Sequence, residues 1–137
     1  MRPYVWWIAL LLILAGCQST TFSADCNNRT DNNVSRCKIN FSELSGRWSR
    51  DVNVSYIAES AEALPLTVSA SVGQGTVRVS YVNDQGDTVS HEVSHDTPLD
   101  IMDTIQISGD QAHVEFMSLD MTATDVQAVV EVGPGPE

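Results

Sequence analysis

From residue 38 almost to the C-terminus, apolar side chains recur at every second position, and that period leaves little choice of secondary structure. Ile39 and Phe41 begin the pattern, Val52, Val54 and Tyr56 continue it, Leu64, Leu66, Val68, Ala70 and Val72 form a long stretch, and Val77, Val79 and Tyr81 follow. A period of two puts all members of a run on one face of a strand, so each run predicts a strand with one buried and one wet side. With the later runs Val89 to Val93, Leu99 to Ile107, Ala112 to Leu119 and Val126 to Val132, about eight short strands result. Turn residues separate them: Val72-Gly73-Gln74-Gly75, the hairpin loop Asn83-Asp84-Gln85-Gly86-Asp87, and Ser108-Gly109-Asp110. Ala58 to Ala63 could close one helical turn, which Pro65 soon stops. Strands at this interval without helices between them predict an all-β domain. The expectation is a small antiparallel β-sandwich over residues 38–133, with a small β-barrel as the alternative and a disordered tail at 134–137.

Residues 1–17, MRPYVWWIALLLILAGC, follow a different grammar. Arg2 precedes the apolar run Val5 to Ala15, and small residues stand before Cys17, the layout of a secretory signal. Eleven apolar residues reach ~17 Å as a helix, short of the ~30 Å hydrocarbon core, so a cleaved signal over residues 1–16 fits better than a permanent span. Leu14-Ala15-Gly16-Cys17 resembles the lipobox of bacterial lipoproteins. The resemblance implies that the Cys17 thiol receives a diacylglycerol, that the signal is cut before it, and that the new amine is acylated in turn. Two or three acyl chains anchor stably where one is marginal. In that family the residue after the lipidated cysteine biases sorting, and Gln18 in place of aspartate implies, where the source is a diderm bacterium, the outer membrane, on its periplasmic or surface face. N-x-[ST] triplets begin at Asn28, Asn33, Asn40 and Asn53, and a bacterial context makes them chance products of an Asn/Ser-rich stretch.

Residues 18–35 are small or polar and lack apolar periodicity, so residues 17–37 read as a lipidated cysteine followed by a tether. With Cys17 acylated, Cys26 and Cys37 are the remaining cysteines, and two in an oxidising compartment pair. Two cysteines without a nearby histidine make a poor zinc site.

Charge excludes one partner class. The chain carries 18 acidic and 7 basic side chains, a net charge of −11 that becomes −12 once Arg2 leaves with the signal, so phosphate backbones are repelled and nucleic acid is not a partner. Residues 17–78 balance, whereas no lysine or arginine follows Arg78. Asp84 with Asp87, Asp96 with Asp100, and Asp120 with Asp125 are the nearest carboxylate pairs and the candidates for calcium. None of them lies in a calcium-loop pattern, and a solvated acidic face is the other reading. A divalent cation or an envelope protein is the partner this half could take.

Three stretches invite a chemical reading. His91-Glu92-Val93-Ser94-His95 matches H-E-x-x-H, which in zinc peptidases works on a helix that turns both imidazoles to one ion. Here Gly86 and Pro98 bound an alternating window, so a strand is expected, with the two histidines ~13 Å apart. Asn40-Phe41-Ser42-Glu43-Leu44-Ser45-Gly46-Arg47-Trp48 resembles the N-F-x(4)-G-x-W opening of lipocalins, and its Leu44-x-Gly46-x-Trp48 core resembles small bacterial protease-inhibitor barrels. Either resemblance implies a structural role for Gly46 and Trp48 and a barrel-type binder of a lipid or a protease. From residue 64 the layout looks like the immunoglobulin-like sandwiches of bacterial surface proteins. No G-x-S-x-G elbow or phosphate loop occurs. The expectation is a non-catalytic envelope binding or structural module without a cofactor, with a zinc peptidase at His91 and His95 as the enzyme alternative.

Overall fold

The computed structural model describes residues 20–29, 33–55, 57 and 61–134. Through them run nine strands: β1 (Thr21–Arg29), β2 (Val34–Leu44), β3 (Arg47–Asn53), β4 (Ala63–Ser71), β5 (Thr76–Val82), β6 (Thr88–Ser94), β7 (Leu99–Ser108), β8 (Gln111–Ser118) and β9 (Ala123–Val132). All pairings are antiparallel. One sheet has the order β1-β2-β9-β4-β7, the other β3-β8-β5-β6, and the last two residues of β7 leave β4 to pair with β8, joining the two. The chain is therefore all-β, an antiparallel sandwich. The path is open, with β1 and β6 at its ends, so the barrel alternative does not hold.

Within the sandwich class, the order β2-β9-β4-β7 against β3-β8-β5-β6 is that of a jelly roll. It replaces the immunoglobulin-like arrangement because β2–β3, β3–β4, β4–β5, β6–β7 and β8–β9 all connect one sheet to the other. Alternation marks a strand but not its neighbour, so this order was not readable from the runs. The tether also needs correction. Thr21–Arg29 is strand, and with β2, along which it pairs from Val34 to Glu43, it forms an edge hairpin. The domain thus begins near residue 20, not residue 38. The one large inward side chain of β1 is Phe22, followed by the small Ala24 and Cys26, so no extended apolar run marks the strand, which hid β1. The proposed helical turn falls partly on residues 58–60, outside the described residues, as does Tyr56, and Ala63 already belongs to β4.

Packing follows the alternation. In β2, Cys37, Ile39 and Phe41 are buried while Arg36, Lys38, Asn40 and Ser42 face water. Ile39, Leu66, Val68, Val130 from one sheet and Val77, Val79, Val114, Phe116 from the other are at most 1% exposed, so side chains fill the space between the sheets. Two turns rest on backbone geometry. Gly46 takes φ 75° between β2 and β3, and its carbonyl accepts the Ser118 N–H at 2.9 Å. Gly109 and Asp110, at φ 56° and 67°, form the two-residue link of β7 to β8, the positive-φ pair that matches the twist of the strands.

The register defines two ends. At one, β2, β4, β6 and β8 finish and β1 begins, so Thr20, Ser45-Gly46, Val72 to Gly75, His95 to Pro98 and Leu119 to Thr122 share it. At the other lie the Asn83 to Asp87 loop, Gly109-Asp110 and Gly133.

Candidate functional site

The H-E-x-x-H stretch is strand and turn. His91 lies in β6 opposite Val79, half-buried on the inner face, while His95 stands exposed beyond the strand in a turn closed by the mutual Ser94–Thr97 backbone bonds of 3.1 Å. The two imidazoles have different surroundings and no helix presents them together, so the zinc-peptidase reading loses its geometry. Among the described residues no group of three or more His, Cys, Asp or Glu side chains gathers as a metal site would require. The calcium candidates scatter. Asp84 and Asp87 are exposed in the β5–β6 loop, Asp96 is exposed beyond β6, and Asp100 accepts a bond from the Ser69 hydroxyl at 3.3 Å. Asp120 accepts the Thr76 N–H at 3.0 Å, and Asp125 sits at φ 51° in β9. Cys17 and Gln18 lie outside the described residues.

Cys26 and Cys37 are bonded to each other directly across β1 and β2, their Cα atoms 4.0 Å apart. The Gly46-x-Trp48 stretch serves packing. The turn at Gly46 carries the chain from one sheet to the other, so Phe41 in β2 meets Trp48 in β3 edge-on, with ring centroids 5.0 Å apart. Phe116 joins both rings at 5.9 and 6.0 Å, and Phe22 covers Trp48 at 5.2 Å. Trp48 floors a packed sandwich here, not a ligand cavity.

At the opposite flank the structure assembles a cluster that the sequence reading did not single out. β6 and β7 are the outer strands of the two sheets, and between them the Tyr81 hydroxyl donates to the Asp103 carboxylate. Asp103 also accepts the Thr104 N–H at 2.8 Å, and the His91 Nε2 lies 3.4 Å from the Tyr81 oxygen. The Tyr81 hydroxyl bond, then the Thr104 N–H, hold the Asp103 carboxyl below the usual carboxylate range, with the His91 ring as a smaller cause. Burial, then the bond to Asp103 and its charge, pushes the Tyr81 phenol well above its ordinary value. Acid–base catalysis wants values near the working pH, and this pair moves both groups away from it. The cluster is a polar clamp between sheets. A signal for it does exist in the sequence: Asp103 occupies the inward slot of the run Leu99, Ile101, Ile105, Ile107, and Tyr81 and His91 occupy inward slots of theirs.

A depressed carboxyl favours the charged form in the folded chain, so its stabilisation is full above the ordinary range and is lost as pH falls through the folded value. Asp103→Asn is therefore expected to cost about 1–2 kcal/mol at neutral pH and less at a pH low enough to protonate the wild-type carboxyl, where wild type loses the charge-assisted bond as well. Urea unfolding of both chains at the two pH values checks it, and a gap that stays constant would refute the assignment.

A candidate binding surface is the outer face of the first sheet. Register places Asn40, Gln127 and Ser71 in one row across β2, β9 and β4, and Lys38, Val129, Ser69 and Asp100 in the next across β2, β9, β4 and β7. Except for Asp100, the two rows line a shallow groove of about 410 Å³. Its walls offer amides, hydroxyls and one ammonium over an apolar floor that Val129 shares with Ala70, Ala128 and Leu99. Across the same face Arg36 pairs with Glu131. On the other sheet Arg47 pairs with Glu115 at 3.2 Å and Arg78 with Glu92 at 3.5 Å.

No family model and no curated protein matches the chain. Solved structures similar to it include BiXyn10A CBM1 in its apo form, at 12% identity over 85% of this chain and 92% of that one, TM-score 0.43. The CBM22-1 xylan-binding domain of Paenibacillus barcinonensis Xyn10C is similar at 10% identity over 84% and 85%, TM-score 0.41. The family 11 carbohydrate-binding module of the cellulosomal cellulase Lic26A-Cel5E of Clostridium thermocellum is similar at 9% identity over 87% and 85%, TM-score 0.39.

Proposed function

We propose that the mature chain is a lipid-anchored, non-catalytic binding module of the bacterial outer membrane, held by acylated Cys17 and engaging a polar polymer of the envelope. The observation that carries the binding half is the grooved outer face with Asn40, Gln127, Ser69 and Ser71 in register. Amides and hydroxyls spaced by the sheet, with one ammonium at Lys38, suit a neutral, hydroxyl-rich chain better than a charged one, because each can donate and accept without a large desolvation cost. The anchoring half rests on the lipobox Leu14-Ala15-Gly16-Cys17 and on Gln18 after it.

One experiment with related variants tests both halves. Cys17→Ser is expected to move the protein from the membrane to the soluble fraction, and continued fractionation with membranes would contradict the anchor. The soluble Cys17→Ser chain is then expected to co-sediment with insoluble envelope glycan. Adding Asn40→Ala and Gln127→Ala should reduce capture at least about tenfold, the equivalent of two lost neutral hydrogen bonds. Equal sedimentation with and without those substitutions would remove the face from the reading.

A further inference from the structure

The acylated cysteine leaves the domain almost no tether. Thr20 is the residue before β1, and Cys17 stands three positions before it, so even fully extended the link spans at most ~11 Å. Thr20 is fixed to the end of the sandwich: its hydroxyl donates to the Ser45 carbonyl at 3.1 Å and accepts the Ser45 N–H at 3.3 Å. The Ser45 hydroxyl in turn bonds that of Thr122 at 3.0 Å, joining the chain's exit point to the β8–β9 loop. That loop carries Leu119, 36% exposed, and Met121, 93% exposed. Among the described residues four large apolar side chains are exposed, and three of them, Phe22, Leu119 and Met121, belong to this end. Isolated exposed apolar residues are ordinary on a protein surface, but gathering them where the anchor leaves needs a covering phase.

We propose that the β8–β9 loop is a membrane-docking element: acylated Cys17 holds the sandwich end-on against the bilayer, with Met121 inserted into the headgroup layer and Leu119 and Phe22 at its border. The occupant is a lipid surface with little net charge. Asp96 and Asp120 share this end and would resist an anionic one, and the Asp120 carboxylate is turned back to the Thr76 N–H. The strands then stand roughly along the membrane normal, and the grooved outer face is presented sideways, clear of the lipid. The inference rests on the acylation of Cys17.

Trp48 is the one tryptophan of the mature sequence, so its emission is a fixed background for an added ring. Met121→Trp and, at the opposite end, Gln85→Trp both alter exposed positions and leave the core alone. Each acylated protein is reconstituted into phosphatidylcholine–phosphatidylethanolamine vesicles whose acyl chains carry bromine near the interface, and vesicle flotation is measured on the same samples. If the protein floats with the vesicles, the added ring of Met121→Trp should lose more than about half its emission and that of Gln85→Trp almost none, since interfacial burial is only ~5–10 Å deep. Flotation with equal quenching, or with stronger quenching of Gln85→Trp, overturns the docking while leaving the anchor intact. Failure to float overturns the anchor, and the docking with it.

Discussion

Phe41→Ala is expected to destabilise the domain by about 3–5 kcal/mol, a large share of the ~5–15 kcal/mol that holds a typical domain together. Phe41 is 1% exposed and is the ring through which the two sheets meet, in contact with Trp48 and Phe116 of the facing sheet and with Phe22 on its own. Truncation removes the transfer energy of one ring and leaves its neighbours around a void that two hydrogen-bonded sheets cannot collapse to fill. Phe22→Ala supplies the comparison. Phe22 is 49% exposed and touches the same cluster from an edge strand, so its loss should cost no more than about 1.5 kcal/mol. Equilibrium urea unfolding of the two variants measures the difference. Equal losses would mean that the cluster is held by its rim and not by Phe41.

How much of this was legible depends on whether a position's role is local. Ile39, Leu66, Val68, Val77 and Val79 were placed correctly because alternation reports a face and nothing else is needed. The turns at Gly109-Asp110 and Asn83 to Asp87 were readable for the same reason. Asn83 accepts the N–H groups of Gln85 and Asp87 through its own side chain, a bond made within five residues. Non-local order was not readable. The pairing of β9 between β2 and β4 brings residues 35 and 132 together, and no pattern within either run names the other. The groove inherits that blindness, since Asn40, Gln127 and Ser71 become one row only once the sheet order is known. The charge asymmetry is resolved the same way: Arg36 and Arg47, from the balanced half, fold onto Glu131 and Glu115 of the acidic half. Exposed pairs of this kind contribute little to stability. Their consequence is that the acidic half is not one acidic surface.

Replacing both Cys26 and Cys37 by alanine is expected to loosen the first hairpin and, with Cys17 acylated as proposed, to let the domain swing away from the bilayer while the anchor stays in it. β1 pairs with β2 alone, so the disulfide is the covalent restraint on an edge strand that otherwise depends on one ladder and on inward Ala24 and Phe22. Closing a loop over a separation of 11 residues restricts the opened chain by ~2–3 kcal/mol, so opening of β1 should become roughly a hundredfold more populated without it. Hydrogen exchange read on residues 21–29 should accelerate by that factor, while β8 and β5 in the centre of the other sheet keep their protection. Opening also changes what joins the domain to Cys17. With β1 paired, the link is the short stretch before Thr20. With β1 detached it runs to Val34, and 17 residues reach up to ~60 Å when extended. The polar stretch that reads as a tether in the sequence is then a tether in fact, but only in the absence of the bond. Quenching of Met121→Trp in brominated vesicles should fall in the Cys26→Ala, Cys37→Ala background while flotation persists. Unchanged exchange in β1 would show that the ladder suffices to hold it. Faster exchange with unchanged quenching would show that the exposed apolar end, and not the short link, keeps the domain at the bilayer.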